Sequence, residues 1–418
     1  MPSAVERFWE GDPRAMGGRR ARPSFHYSAF VPDRIVSLDP AVPFETATLV
    51  ADAESAVRAL NERATVFGLE AIGPILLRSE AVASSRIEGY DVSSLNLARA
   101  LIDPRSARGS ARTVAANVSA MEEAIGVADR DGPVTRADIL AIHRTLVQAE
   151  PQAQPGQLRK EQNWIGGRLN SPLDARYVPP PEDLVGPLMD DLVAFLARDD
   201  LPAVAQAAIA HAQFETIHPF IDGNGRVGRC LVHVVLRRRG VAPRFVPPVS
   251  IVLAARPAAY VDGLVGFREG RVADWVASFA AATAVAARAS VELAEQVATL
   301  QAEWLVRAGR PRVDSAAAKL VALLPALPLL SAPTARVALG ISQQKTLEGL
   351  KALDAAGVVR QISAGTYDRQ FAATELFDLV TAYEARVVGR ARREAEPAGD
   401  GATLLAAPQA TGADTRKA

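Results

Sequence analysis

The chain has 418 residues, 49% of them apolar, and its 47 Lys plus Arg balance 47 Asp plus Glu. That balance leaves no global charge to hold nucleic acid or an anionic membrane, while the apolar share is enough for a large core in two or three domains. The single cysteine, Cys230, excludes an intramolecular disulfide, and neither an uninterrupted apolar run of membrane-spanning length nor a convincing signal peptide at residues 1–22 is legible, so a soluble cytoplasmic protein with no membrane partner is expected.

Taken in chain order, residues 1–40 carry several prolines and the run Gly17-Gly18-Arg19-Arg20-Ala21-Arg22, which predicts an irregular arm whose Phe25 to Pro32 piece packs on the body. Helical spacing of apolar residues follows from Glu45 to Gly68 and again from Leu69 to Glu88, with Gly89 as terminator. The same period recurs at 111–127, 136–147, 183–196 and 203–217, and after a polar loop at 226–239 and about 257–308. Between them, Asn163-Trp164-Ile165-Gly166-Gly167-Arg168 and Tyr177-Val178-Pro179-Pro180-Pro181 read as short extended pieces of a hairpin. Residues 41–308 therefore form a helical bundle. From 311 to 386 the pattern is helix, turn, helix, then two runs joined across Ala364-Gly365, with Ser342 as an N-cap, which is the order of a winged helix. Residues 391–418 lack periodicity and predict a disordered tail.

The chemistry concentrates in His218-Pro219-Phe220-Ile221-Asp222-Gly223-Asn224-Gly225-Arg226-Val227-Gly228-Arg229. Gly223 and Gly225 can adopt positive φ and keep side chains away, so backbone N–H groups can converge on an anion at the start of the next helix, where the dipole favours negative charge. Asp222 is the hard oxygen ligand that Mg²⁺ takes. Arg226 and Arg229 share a helix face and can grip phosphate oxygens in bidentate fashion. His218 is a candidate base for a hydroxyl attacking a phosphoryl group. The other histidines, His26, His143, His211 and His233, read as structural or solvated, and Cys230 as a small buried residue.

This run resembles the signature loop of the Fic family, HPFx[D/E]GNGRxxR, at all nine specified positions. The resemblance implies a mainly α, Fic-type bundle with a small β-hairpin flap, and transfer of AMP from Mg·ATP onto a Ser, Thr or Tyr hydroxyl of a target protein, itself included. By position it makes His218 the general base, Asp222 the Mg²⁺ ligand and Asn224 a holder of the α-phosphate. Gly223 and Gly225 supply amides, and Arg226 and Arg229 bind the outer phosphates. Ser84-x-x-x-Glu88-Gly89 resembles the family's inhibitory motif [S/T]xxxE[G/N] in the subgroup with an N-terminal inhibitory helix, about residues 69–89 here. There the resemblance implies that Glu88 pairs with Arg229 and competes with the γ-phosphate. Trp164, Ile165, Gly166 and Gly167 resemble the flap that holds a target segment by strand addition.

A C-terminal winged helix also resembles that of many Fic proteins in this subgroup. As a DNA reader it would put Gln343, Gln344 and Lys345 near bases and Arg360 or Arg369 near phosphates, but Lys345 and Lys351 stand against Glu348 and Asp354, a weak electrostatic footprint. Protein docking or a homodimer is the favoured expectation. The same site residues would serve removal of AMP from a modified protein, and a third reading is a DNA-binding regulator whose core senses nucleotide.

Overall fold

The computed structural model describes residues 2–11, 24–66, 72–167, 171–363 and 369–393. Among them are fifteen α-helices and five short strands, the mainly α bundle expected. The expected Leu69 to Ala71, Arg168, Ala364 to Tyr367, the Gly17 to Arg22 run and residues 394–418 lie outside the described residues.

The centre is a helix pair, α7 (Ala203–Ile217) and α8 (Asn224–Arg238), joined by the His218 loop. Nearly every residue of α7 is buried, and six of its fifteen positions are alanine, so neighbours can approach from all sides. Packed around the pair are α4 (Gly109–Asp129), α5 (Arg136–Val147), α6 (Glu182–Leu196) and α10 (Pro257–Arg268). The 36-residue α11 (Val272–Arg307) lies along α1 (Phe44–Val66) and α7, fixed by the Trp275 indole donating to Ala208 O at 2.7 Å. Among the described residues α11 is the one single helix long and apolar enough to cross a membrane, but Asp274, Arg288 and Glu292 interrupt its apolar run and 67% of its apolar window is buried inside the protein.

The helix α2 (Ile72–Ile87) reaches the His218 loop and stops there for a local reason. Gly89, at φ +85°, lets its own N–H bond Arg86 O and the Tyr90 N–H bond Ser85 O, each at 3.0 Å. This paired closure is the Schellman motif, and it leaves Glu88 as the capping residue at the negative end of the helix. Two short helices, α3 (Ser94–Ile102) and α9 (Val249–Ala255), were not legible as periodic runs and pack on this region.

Residues 1–40 are not the irregular arm expected. Ser3–Trp9 (β1) pairs antiparallel with Phe25–Val31 (β2), in register Ser3↔Val31 to Trp9↔Phe25. Val5, Phe8, Trp9, Tyr27 and Phe30 favour a pleated surface, and that preference outweighs the Gly/Arg-rich stretch between the strands. β2 does pack on the body: Phe30 N–H donates to Val178 O at 2.9 Å. The C-terminal region holds α12 (Ala316–Leu323), β3 (Leu329–Ser331), α13 (Ala332–Leu339), α14 (Gln343–Ala355), β4 (Arg360–Gln361) and β5 (Gln370–Ala372), in sheet order β3-β5-β4. The strand β3 is additional to the expected elements, and Ser342 caps α14 by accepting from Lys345 N–H at 3.4 Å. Nor does the ordered region end at 386, or the tail begin at 391: α15 (Thr374–Arg393) runs back along α11, burying Leu376, Val380, Tyr383, Val387 and Ala391 at helical spacing.

Candidate active site

His218 ends α7 in the left-handed conformation, φ 50°, ψ 59°, with its N–H bonded to Phe214 O. A non-glycine residue adopts that conformation only where its surroundings impose it. Here the imposing group is Arg159, whose Nε donates to His218 O at 2.9 Å and whose backbone N–H donates to Pro219 O at 2.9 Å. The Asn163 amide adds a bond to Phe220 O at 3.0 Å, and Tyr177 donates to Thr216 O at 2.6 Å. The His218 ring is largely enclosed; burial first and the Arg159 charge second push its pKa down to about 4, so it is neutral at pH 7. Its Nδ1 is buried without a hydrogen-bond partner, 4.0 Å from Glu215 Oε2, whose carboxyl burial pushes up to about 7.

Phe220 anchors the loop as expected, fully buried and stacked on His143 with ring centres 3.7 Å apart. Gly156 N–H donates to His143 Nδ1 at 3.0 Å, so Nε2 carries the proton and donates to Asp222 O at 3.1 Å. Asn224 is turned to the loop itself: its Oδ1 accepts from Phe220 N–H and its Nδ2 donates to Phe220 O, both at 2.8 Å. The expected α-phosphate holder is therefore first a clamp on the bend, with at most its second amide hydrogen left for a ligand.

Gly223 has the positive φ foreseen, +83°, and caps α8. Gly225 does not; it lies inside the first turn of α8, and its requirement is space. A Cβ there would overlap Glu88 Oε1. The Glu88 carboxylate thus rests directly on the turn whose amides were expected to receive phosphate.

Arg229 is buried and holds the Ser84 to Glu88 segment from two atoms: Nε donates to Ser84 Oγ at 2.7 Å, and Nη2 to Ser84 O at 2.9 Å and to Glu88 Oε1 at 2.7 Å, while Nη1 reaches Tyr260 OH at 3.5 Å. Burial works against the Glu88 anion, but the charge and hydrogen bond of Arg229, with the Arg226 charge, outweigh it, leaving its pKa below the ordinary carboxylate range. Arg226 is different. Its guanidinium is buried over the Tyr90 ring, 5.3 Å to the centre and 3.6 Å from Asp222 Oδ1, yet Nε and Nη1 have no hydrogen-bond partner. Unpaired buried N–H groups on a cation call for an anion.

Asp222 stands at the mouth, half exposed, accepting from Gly223 N–H at 2.6 Å. Among the described residues no cluster of three acidic, His or Cys groups could hold a metal. One carboxylate suits Mg²⁺ only when phosphates and waters complete its shell. At the expected flap a single bridge, Ile165↔Tyr177, joins the two segments, with Gly166 and Gly167 both at φ +73° beside it. Ile165 is 36% exposed, and Trp164 packs edge-on against Trp9, 5.5 Å between ring centres.

Residues 133–236 match the model of the Fic/DOC family, and residues 47–126 that of the Fic/DOC family N-terminal region. The chain carries a Fic/DOC domain, preceded by that family's N-terminal region. A Fic family protein from Desulfovibrio desulfuricans matches over 80% of this chain and 97% of its own, at 25% identity and a TM-score of 0.51. Curated relatives named "Protein adenylyltransferase Fic" from Drosophila willistoni and Drosophila grimshawi are each 34% identical over 117 residues. Those matches span 27% of this chain and 22% of either relative.

The loop residues that sequence pointed to converge around the α7–α8 bend with Ser84 and Glu88, whereas Trp164 to Gly167 are tied to it only through the neighbouring Asn163 and Tyr177. Sequence reading missed Arg159, Glu215 and Tyr260, and it left His143 and His211 with no more than a structural role. The His211 ring bonds Tyr260 OH at 2.9 Å, so a buried chain runs from Arg229 through Tyr260 into the core. None of these lies in a motif, and only their burial beside the loop reveals them.

Proposed function

We propose that this Fic protein is a protein adenylyltransferase held in a low-activity state by Glu88. The supporting observation is the contrast between its two loop arginines. Arg229 is spent on Ser84 and Glu88, while Arg226 keeps two buried N–H groups unpaired beside a glycine turn covered by the Glu88 carboxylate. An anion-binding turn closed by an internal anion is what a triphosphate site under self-inhibition requires.

With Glu88 withdrawn, the α8 amides and Arg226 would take phosphate oxygens, and Arg229 the outer phosphates. Asp222 would hold Mg²⁺, whose chemistry is to neutralise charge on the phosphate chain. The hydroxyl oxygen of a target Ser, Thr or Tyr then bonds to the α-phosphorus as the bond to pyrophosphate breaks. The hydroxyl proton passes to neutral His218, at Nε2, since Nδ1 is turned inward beside Glu215. Arg159 fixes the imidazole by its backbone and, as a nearby cation, keeps it unprotonated. The flap would offer its Ile165 edge to the target segment, and the C-terminal module would dock protein. The test is label transfer from α-phosphate-labelled ATP: present in Glu88→Gly, absent in Glu88→Gly with His218→Ala. Labelling that survives loss of His218 overturns the assignment.

A further inference from the structure

A second cleft, of about 1190 Å³, opens away from the His218 loop, between α2, α3, α4, the far end of α8 and the Ala326 to Leu329 segment. Its size exceeds the usual range for small-molecule sites, roughly 300–1,000 Å³. Leu77, Leu101, Val118, Ile125, Leu327 and Leu329 make most of the wall apolar, and α4 contributes Ala115, Ala116 and Ser119, small residues that keep the space open.

Two observations give the occupant a chemistry. The charged residues lining the cleft are Arg78, Arg112, Arg237 and Arg244 against Glu122; Arg237 is ion-paired with Asp129, and the others still leave an excess of positive charge around an apolar interior. Inside stands His233, 3% exposed, with Nδ1 buried and without a hydrogen-bond partner. A buried imidazole nitrogen left unpaired beside open space is destabilising, and a ligand oxygen would satisfy it. His233 lies one helical turn before Arg237, whose guanidinium is held by Asp129, so the imidazole is the group that meets a carboxylate.

We propose that this cleft binds an amphipathic carboxylic acid of the acyl-chain type, its carboxylate at His233 and its chain along α4 toward Leu329. The site is separate from the nucleotide site and independent of the adenylyl-transfer reading. One of its walls is the helix that carries Ser84 and ends at Glu88, and Arg78 on that wall donates to Pro325 O and Ala326 O at 2.9 and 2.7 Å across the same seam.

Calorimetry on the full chain with dodecanoate below its micellar concentration tests this, with dodecan-1-ol and dodecyltrimethylammonium as comparators. One dodecanoate per chain is expected, at least tenfold tighter than either comparator. Ala116→Trp, which fills the cleft from a partly exposed helix position, should weaken uptake at least tenfold. In the unsubstituted chain, NMR titration should find the His233 midpoint raised by bound dodecanoate, a readout that does not depend on any variant folding. No uptake, equal uptake of the alcohol, unchanged uptake by a folded Ala116→Trp chain, or an unmoved His233 midpoint each overturns the proposal.

Discussion

Replacing Glu88 by glycine removes the carboxylate that lies against Gly225 and accepts from Arg229 at 2.7 Å. Its magnitude follows from the geometry. Arg229 is 2% exposed, so the bond sits largely out of water on one side, but the Glu88 side chain keeps 36% of its surface, which screens the other. A hydrogen bond between charged groups contributes about 1.5–3 kcal/mol, and that exposure argues for the lower half of the range. If a productively bound triphosphate must displace this contact, Glu88→Gly should favour the productive complex by about 1.5–2 kcal/mol, roughly a 10- to 30-fold rise in transfer at about 1.4 kcal/mol per tenfold. Glycine suits the cap position, because the turn closes through Gly89 and Tyr90 N–H groups rather than the Glu88 side chain. The assay is incorporation of label from α-phosphate-labelled ATP into protein, with circular dichroism to show that the fold persists. Equal incorporation by the unsubstituted chain and a folded Glu88→Gly variant would refute the reasoning, because the Arg229 contact would then hinder nothing.

Arg159→Met removes the side-chain bond to His218 O but leaves the Arg159 backbone bond to Pro219; a loosened imidazole should lower turnover about 100-fold while ATP affinity, measured by calorimetry, stays within about twofold. Because the Arg159 charge helps lower the His218 pKa, the acid limb of the pH–rate profile should also move to higher pH in that variant, and an unmoved limb would leave Arg159 a purely structural residue. In the Glu88→Gly chain neutral His218 should keep transfer active as pH falls from 7 until protonation sets in toward pH 4. Gly225→Ala should destabilise the chain by about 1–3 kcal/mol through overlap with Glu88, and far less in a Glu88→Gly background; additive denaturant midpoints would place the clash elsewhere. His143, His218 and His233 have folded pKa values near 4, below the 6.5 of an exposed imidazole, so the stability they contribute is present above pH 6.5 and lost as pH falls to about 4. Glu80 and Glu215, raised to about 7, act in the opposite sense between pH 4.5 and 7 and blunt that loss. His233→Gln should therefore flatten the fall in melting temperature between pH 6.5 and 4.

The His218 to Arg229 loop was legible because its chemistry is local: twelve consecutive residues carry an imidazole, an acid, a glycine turn and two cations. Ser84 and Glu88 were legible as a motif, and Gly89 correctly marked the helix end, but the three-point grip of Arg229 on them joins segments about 140 residues apart. Arg159 left no such trace. Its worth comes from carbonyls at 161, 180 and 218 that only the fold brings around it. Gly225 was read for its backbone freedom when the site uses its missing side chain, a distinction that depends on a neighbour from another helix. The β1–β2 pair was hidden by the Gly/Arg-rich stretch that separates its strands. For α15 the signal was present in Leu376, Val380, Tyr383, Val387 and Ala391, which recur at helical spacing, and the reading stopped short of it.

The central claim is that the α7–α8 bend carries AMP to a protein hydroxyl once Glu88 is removed. Intact-protein and peptide mass spectrometry of Glu88→Gly, incubated with ATP and Mg²⁺ alone and with lysate, measures that directly. The account predicts adducts of AMP mass on Ser, Thr or Tyr side chains that disappear when His218→Ala is added. Adducts absent throughout although ATP binds, or present at equal level without His218, would contradict it.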